Sequence, residues 1–371
     1  PVYNTLAYEF DNAAVMAEAF TDKIKAPDYS RVENPTVTNL ERRVAALTDA
    51  AHATAFNSGM AAISNTLMAL AAQGKNIVTS KHLFGNTYAL LVATLRRFGV
   101  KVRLRDLTNI EAVREAIDDD TCCVFLEILT NPQLEVADLK AISEVAHEKN
   151  VPLVVDSTVI PFTQFSAKSL GVDIEVVSSS KYVSGGATSL GGLVIDYGTP
   201  YNGDFAKRLY GEMLFNFGAY MTPQVAYMQT IGLETLDARY RVQSSNALEL
   251  AKKLRSLPQI KLVNYVGLED NPYHELAQRQ FGKTAGAMIC IDLESKEACF
   301  SFLNNLKLIH RATNLFDNRS LAIHPASTIF GAFSESMRKS MDVKDTTIRL
   351  SIGLEDVDDL FEDIKQAVDS L

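Results

Sequence analysis

The sequence is poor in the features that mark secreted, membrane-bound or nucleic-acid-binding proteins. It has no tryptophan and only four cysteines in 371 residues. Cys122 and Cys123 are neighbours inside an apolar, strand-like run, while Cys290 and Cys299 stand far away, so no disulfide framework or metal-type spacing emerges. His52, His82, His147 and His324 are equally scattered and fail the spacing of a zinc site. No apolar stretch approaches the roughly 18 residues that a membrane span needs, and no basic leader precedes an apolar core. Positive charge is also short: 36 Lys and Arg against 45 Asp and Glu give a formal net charge of −9. That balance disfavours nucleic acid or an anionic membrane as the main partner. Repeats, low-complexity tracts and a disordered tail are absent too. A reduced, cytoplasmic globular protein is the economical reading, and any anionic ligand must be held by local groups.

The length suggests two or three units with ample core. After a short helix following Asp11 comes a polar, extended piece, Tyr29 to Thr36, in which Asn34 precedes Pro35 and Thr36 is placed to cap the helix carrying Leu40, Val44 and Leu47. Apolar strands and helical segments then alternate. Strands are expected at Ala53–Phe56, Asn76–Thr79, Val100–Leu104, Cys122–Leu126, Pro152–Val155, Ile174–Ser178 and Gly192–Ile195, with helices between them, one of them from Asn86 to Arg97. Strands buried on both faces and separated by helices imply a mostly parallel sheet. A long helix from Pro223, broken near Gly232, leads to a smaller α+β domain with a closing strand Thr347–Ile352, an irregular loop 319–325 and a final amphipathic helix. The expected division is an N-terminal arm and helix over 1–50 reaching a neighbouring subunit, a large domain over 51–235 and a C-terminal substrate domain over 236–371.

In such sheets ligands sit beyond the carboxyl ends of the strands. Asn131, Asp156, Ser178, Ser180 and Lys181 all fall there. Lys181 follows a β-branched strand and three serines and precedes two glycine pairs, and a desolvated lysine is a candidate Schiff-base former. The turn Ser58-Gly59-Met60 opens a helix whose N-terminus suits a phosphate. Asp156 would be costly to bury without a cation such as a protonated pyridine nitrogen. Phosphate, pyridinium and an aldehyde for the lysine together describe pyridoxal phosphate, with Phe84 available to stack on its ring.

These residues also carry a family resemblance. The chain resembles the γ-subfamily of fold-type I pyridoxal-phosphate enzymes of cysteine and methionine metabolism, which includes O-acylhomoserine sulfhydrylases, cystathionine γ-synthase and γ-lyase, and methionine γ-lyase. The motifs, in order, are Tyr29-Ser30-Arg31 with Asn34-Pro35-Thr36, Ser58-Gly59-Met60, Asn131-Pro132, Asp156 with Thr158 and Pro161, Ser178 with Ser180-Lys181-Tyr182, His324-Pro325-Ala326, and Arg349 through Glu355.

The resemblance implies an aspartate-aminotransferase-like α/β fold with a smaller C-terminal domain. It implies that Lys181 holds the cofactor and moves protons and that Asp156 faces the ring nitrogen. Ser58, Gly59, Met60, Ser178 and Ser180 would take the phosphate, helped by Tyr29 and Arg31 of a neighbouring subunit. Asn131 would touch the ring hydroxyl and the substrate carboxylate, and Arg349, supported by Ser320, would clamp that carboxylate. A homotetramer of two active dimers is the implied assembly.

Departures from the family pattern bear on the reaction. Phe84 replaces the usual stacking tyrosine, leaving proton relay to Lys181 or Tyr29. Asn86 stands where methionine γ-lyases carry cysteine, and Arg319 where cystathionine-handling members carry glutamate. Ser157 replaces a commoner asparagine. The expectation is therefore a transferase of the O-acetylhomoserine sulfhydrylase type, replacing the γ-acyloxy group with sulfide or a small thiol to give homocysteine. The alternatives are γ-elimination from methionine or cystathionine, cystathionine γ-synthesis, and a non-catalytic nucleotide-binding module.

Overall fold

The computed structural model describes residues 1–21, 23–283 and 285–371. Among these, seven strands form the larger sheet: β1 His52–Phe56, β2 Asn76–Ser80, β3 Lys101–Arg105, β4 Thr121–Glu127, β5 Leu153–Asp156, β6 Ile174–Val177 and β7 Gly192–Asp196. They lie in the order β1-β7-β6-β5-β4-β2-β3. The strands from β2 to β6 pair parallel, and β7 runs antiparallel to both β6 and β1. The apolar runs explain the burial of both faces: Val124 and Leu126 enter one core cluster, Cys123 and Phe125 the other. The reversal at β7 follows from its connection. Between β6 and β7 lies only the 3₁₀ turn Tyr182–Ser184 in place of a crossover helix, so the chain returns antiparallel.

A second sheet, also among the described residues, contains β8 Leu262–Asn264, β9 Met288–Asp292, β10 His310–Arg311, β11 Leu321–Ile323 and β12 Thr347–Ser351, in the order β10-β11-β12-β9-β8. One continuous apolar cluster joins Ile289, Ile291, Ile348 and Leu350 of this sheet to Leu126 and Val155 of the first. The final helix, Val357–Val368, buries Leu360, Ile364 and Val368 as its spacing predicts, and the Asp356 side chain caps it by accepting from Asp358 N.

Several local expectations are corrected. The helix Pro35–Thr48 is capped by Asn34, whose Oδ1 accepts from Thr36 N at 2.9 Å, while Thr36 lies inside the helix with its hydroxyl receiving Tyr3 N at 2.8 Å. Pro35 occupies the first helical position, where its missing N–H costs nothing. The helix expected from Asn86 to Arg97 is Gly85–Ala89 followed by π and 3₁₀ turns, Leu90–Thr94 and Leu95–Phe98. The loop 319–325 contains β11, which pairs with β12 at Ile323 and Arg349. A three-residue strand is too short to show a period.

The long helical stretch breaks at Thr235, giving Pro223–Glu234 and Leu236–Leu254, and Gly232 lies inside the first of these. Gly232 is there for close approach: a Cβ on it would stand 2.1 Å from the carbonyl oxygen of Val183. Arg239 secures the same contact, donating from Nη2 to the carbonyls of Tyr182 at 2.8 Å and Gly232 at 2.7 Å. Tyr182 stacks on Phe316 with ring centroids 4.1 Å apart. These contacts fix the turn that begins at Lys181. Gly232→Ala should therefore destabilise the protein by about 1–3 kcal/mol through overpacking. A thermal unfolding midpoint lowered by a few degrees is the expected result, and an unchanged midpoint would contradict this packing.

Candidate active site

A cavity of about 570 Å³ opens beyond the carboxyl ends of β4, β5 and β6, a size suited to a small-molecule ligand. Its wall includes Ser58, Gly59, Met60, Phe84, Asn131, Asp156, Ser178, Ser180, Lys181 and Arg349, so most of the residues singled out in the sequence share one space. Glu127, Thr158 and Asn314 join them.

One end of the cavity is built for an anion. The helix Gly59–Leu70 begins with Ser58 as N-cap, its hydroxyl accepting from Ala61 N at 3.1 Å. The positive end of the helix dipole thus faces the cavity. Close approach requires small residues: a Cβ on Gly59 would lie 2.6 Å from Cβ of Ser178, and one on Gly192 would lie 2.1 Å from the Ser58 carbonyl oxygen. Ser180 is locked to the returning strand, its hydroxyl accepting from Gly191 N at 2.9 Å and donating to Gly191 O at 3.1 Å. Ser178 N donates to the Thr158 hydroxyl at 2.8 Å.

The other groups are charged and poorly compensated. Lys181 Nζ donates to Asn314 Oδ1 at 2.7 Å. Burial, and secondarily the neighbouring Arg349 guanidinium, pull the Lys181 amine down to about 8. Arg349 is itself buried, which lowers it to about 10 and leaves it cationic at neutral pH. It donates to Asn131 Oδ1 and to the Asn314 carbonyl, each at 3.1 Å, while its Nε has no protein partner. Among the described residues this buried guanidinium bonds to neutral oxygens and leaves its Nε–H without a partner, which fits an anionic ligand.

Opposite these stand Asp156 and Glu127, paired in register on β5 and β4. Asp156 Oδ1 accepts from Thr158 N at 2.9 Å, and burial raises its carboxyl. Glu127 Oε1 accepts from Phe84 N at 2.5 Å, and its carboxyl is pushed well up by burial and by Asp156. Two adjacent buried acids fit a ligand that brings a cation.

Not every expected residue is here. Ser320 is fully buried away from the cavity wall: its hydroxyl donates to Glu355 Oε2 and accepts from Gly353 N, both at 2.8 Å. It ties two loops together, and Asn314 takes the place beside Arg349 that was expected of it. Nothing in the sequence marks Asn314; the connection between the short strands β10 and β11 delivers it. Tyr29 and Arg31 lie outside this cavity, with Arg31 Nη1 donating to Phe215 O at 2.5 Å and its guanidinium 5.5 Å from the Tyr29 ring centre. Asn86 and Arg319, the positions used to discriminate reactions, are exposed and do not line it.

The family described as Cys/Met metabolism PLP-dependent enzymes matches residues 1–369. The chain is 37% identical over 375 residues to an L-methionine γ-lyase of Fusobacterium nucleatum, covering 100% of this chain and 93% of that protein. A solved O-acetylhomoserine (thiol)-lyase of Campylobacter jejuni superposes with a TM-score of 0.95 at 35% identity, covering 100% of this chain and 95% of that one. That structure carries N′-pyridoxyl-lysine-5′-monophosphate. A solved O-acetylhomoserine sulfhydrylase of Wolinella succinogenes is 43% identical with a TM-score of 0.81, covering 90% of this chain and 96% of that one.

The proximity of Arg349 to Lys181 is testable without any ligand. In Arg349→Met the Lys181 amine should titrate higher than about 8, because the repelling cation is gone. The pH dependence of reductive alkylation of Lys181 by a small aldehyde measures this, and a midpoint that stays put or falls would refute the coupling.

Proposed function

We propose that this chain, which belongs to the Cys/Met metabolism PLP-dependent enzymes, catalyses γ-replacement on an O-acylhomoserine, O-acetylhomoserine first among them, with sulfide or a small thiol as the incoming nucleophile and homocysteine or its thioether as product. The observation that supports this most is the 43% identity to the Wolinella succinogenes sulfhydrylase over 90% of the chain. The cofactor is pyridoxal phosphate, and the cavity fits it: a helix N-terminus for the phosphate, Asp156 for a cationic ring nitrogen and Lys181 for the aldehyde. Bound pyridoxal phosphate supplies an aldehyde that condenses with amines and a ring that accepts the electron pair left when a neighbouring C–H bond breaks.

The roles proposed for the protein residues draw on their places in the cavity wall. Ser58, Gly59, Met60, Ser178 and Ser180 hold the phosphate, Phe84 covers a ring face, and Asn131 takes the ring hydroxyl. Arg349, with Asn314 and Asn131 beside it, fixes the substrate carboxylate; its unpartnered Nε and its planar fork favour two-point binding. Lys181, with an amine lowered to about 8, can take a proton from the substrate and return it near neutral pH. Its turn is held by Arg239 and Tyr182, so Nζ is presented from a fixed base.

Tyr29 and Arg31 face away from this chain's own cavity, and their assigned role is at the phosphate of a second copy, with Tyr29 available for proton relay. The active unit is then at least a dimer, and two such dimers make the proposed tetramer. Residues 1–50 would form the arm, 51–235 the cofactor domain and 236–371 the substrate domain. Among the described residues no helix is long and apolar enough to cross a membrane, in keeping with a cytoplasmic enzyme. A second reading, γ-elimination from methionine, rests on the likeness to the Fusobacterium nucleatum γ-lyase.

Steady-state assays decide between them. O-acetylhomoserine with sulfide should give homocysteine faster than methionine gives 2-oxobutanoate, and the reverse order would make elimination the reaction. Lys181→Ala should fold but lose the yellow colour and the activity; a variant that keeps both would sink the assignment of Lys181. Arg349→Lys should raise KM for the amino-acid substrate about tenfold or more with a smaller change in kcat, since an ammonium cannot reproduce the bidentate fork.

A further inference from the structure

Glu175 is out of place. It sits in β6, Ile174-Glu175-Val176-Val177, between Val155 of β5 and Ile195 of β7 in register, with none of its surface exposed. An aliphatic side chain would suit that position, and burying a carboxylate there is costly unless something compensates it. Among the described residues its two oxygens receive hydroxyls: Ser157 donates to Oε1, and Tyr197 donates to Oε2 at 2.7 Å. Among the described residues no ion pair includes it. Ser157 is the residue directly after Asp156, and its own amide is anchored to the Val176 carbonyl at 3.1 Å. Glu175 is therefore hydrogen-bonded to the residue that follows the carboxylate ending β5. In register Glu175 pairs with Val155 and Asp156 with Val176, so the two carboxylates sit at successive positions of neighbouring strands and leave opposite faces of the sheet.

We infer that Glu175 is a positioning residue for the cofactor: held by Ser157 and Tyr197 on the sheet face opposite Asp156, it supplies a second negative charge that strengthens the site's hold on a cationic ring nitrogen. Glu175 touches neither the cavity nor the reacting atoms, so it acts through Asp156. A charge in the protein interior is poorly screened and reaches several ångströms. The inference rests on Asp156 facing that nitrogen.

The charged and titratable surroundings are few. From β5 and its end come Asp156 and the Ser157 hydroxyl; from the end of β7 comes Tyr197, whose phenol is raised by burial and by Glu175 and so stays neutral. Asp173 and Asp196, near the far ends of β6 and β7, are engaged elsewhere, by His147 at 2.8 Å and Asn202 at 2.6 Å. Burial raises the Glu175 carboxyl to about 6, the two hydroxyls oppose this, and Asp156 adds to it. A folded-state value above the ordinary 4.5 means that ionised Glu175 costs stability. That cost is absent below pH 4.5, grows as pH rises through about 6 and is complete above it. The protein thus tolerates a destabilising charge at neutral pH, and cofactor retention is the property it serves.

Two measurements with opposite signs test this in Glu175→Gln, which keeps the shape and can still accept and donate to rotating hydroxyls. Stripped of cofactor, the variant should melt a few degrees higher than the unaltered protein at pH 8 and equally at pH 4.5. Its dissociation constant for pyridoxal phosphate should be about fivefold or more weaker at pH 8, with the ratio falling toward one as pH drops through about 6. Tyr197→Phe, which removes one donor to the carboxylate, should move the pH at which the two proteins converge upward. Lower melting of Glu175→Gln at both pH values, or a loss of affinity independent of pH, would show a merely structural role and overturn the inference. Asp156→Asn separates the two levels: it should weaken the cofactor at every pH. If Asp156→Asn binds the cofactor normally, the assignment of Asp156 fails; if it binds weakly while Glu175→Gln binds normally at pH 8, only the inference about Glu175 fails.

Discussion

The constraint on which this structure depends is the burial of charge at one end of a parallel sheet. Among the described residues, Lys181 and Arg349 enter the cavity without a carboxylate to pair with, and Asp156 and Glu127 enter it without a cation. Desolvation bears on each: it lowers the lysine and the arginine and raises both acids. A folded chain that leaves these charges to be matched by a ligand gives up stability for binding, since each group would be cheaper replaced by an apolar one. The surrounding packing must therefore be strong enough to hold them, and it is: apolar clusters cover both faces of the central strands, and the Lys181 turn is held by the Gly232 contact, the Arg239 fork and the Tyr182–Phe316 stack.

The parallel sheet was legible because its strands are buried on both faces, so Cys122–Leu126 and Leu153–Val155 read as unbroken apolar runs, and because strand ends in such a sheet converge by topology. Asp156 and Lys181 could be placed together for that reason alone. The one antiparallel strand, β7, was not legible: nothing in Gly192–Asp196 records its direction, which is set by the absence of a helix in the segment that carries Lys181.

The site divides in the same way. Residues delivered by long elements, such as Gly59 at a helix start or Arg349 in the middle of β12, could be anticipated from pattern and motif. Asn314 could not, because β10 and β11 are two and three residues long and carry no periodic signal. Ser320, which the motif favoured, is engaged instead by Glu355 and Gly353. A serine and an asparagine six positions apart on a compact loop are equivalent to a sequence pattern, and only the turn geometry decides which one faces inward. Arg319 and Asn86 lie outside the cavity wall for the same kind of reason: a sequence difference near the site does not record whether the side chain reaches it.

Asn314 also shows how the two sheets become one site. Its side-chain oxygen receives Lys181, carried on the loop after β6, while its carbonyl receives Arg349, carried on β12 of the second sheet. A single residue thus sets the spacing between the amine and the guanidinium, whose mutual repulsion contributes to the lowered lysine. Any shift of the second sheet relative to the first would change that spacing, and with it the proton affinity of Lys181. The continuous apolar cluster that joins Ile289 and Leu350 to Leu126 and Val155 is therefore more than a source of stability. By fixing one sheet against the other it fixes an electrostatic distance, and a core substitution far from the cavity can act on the chemistry through it.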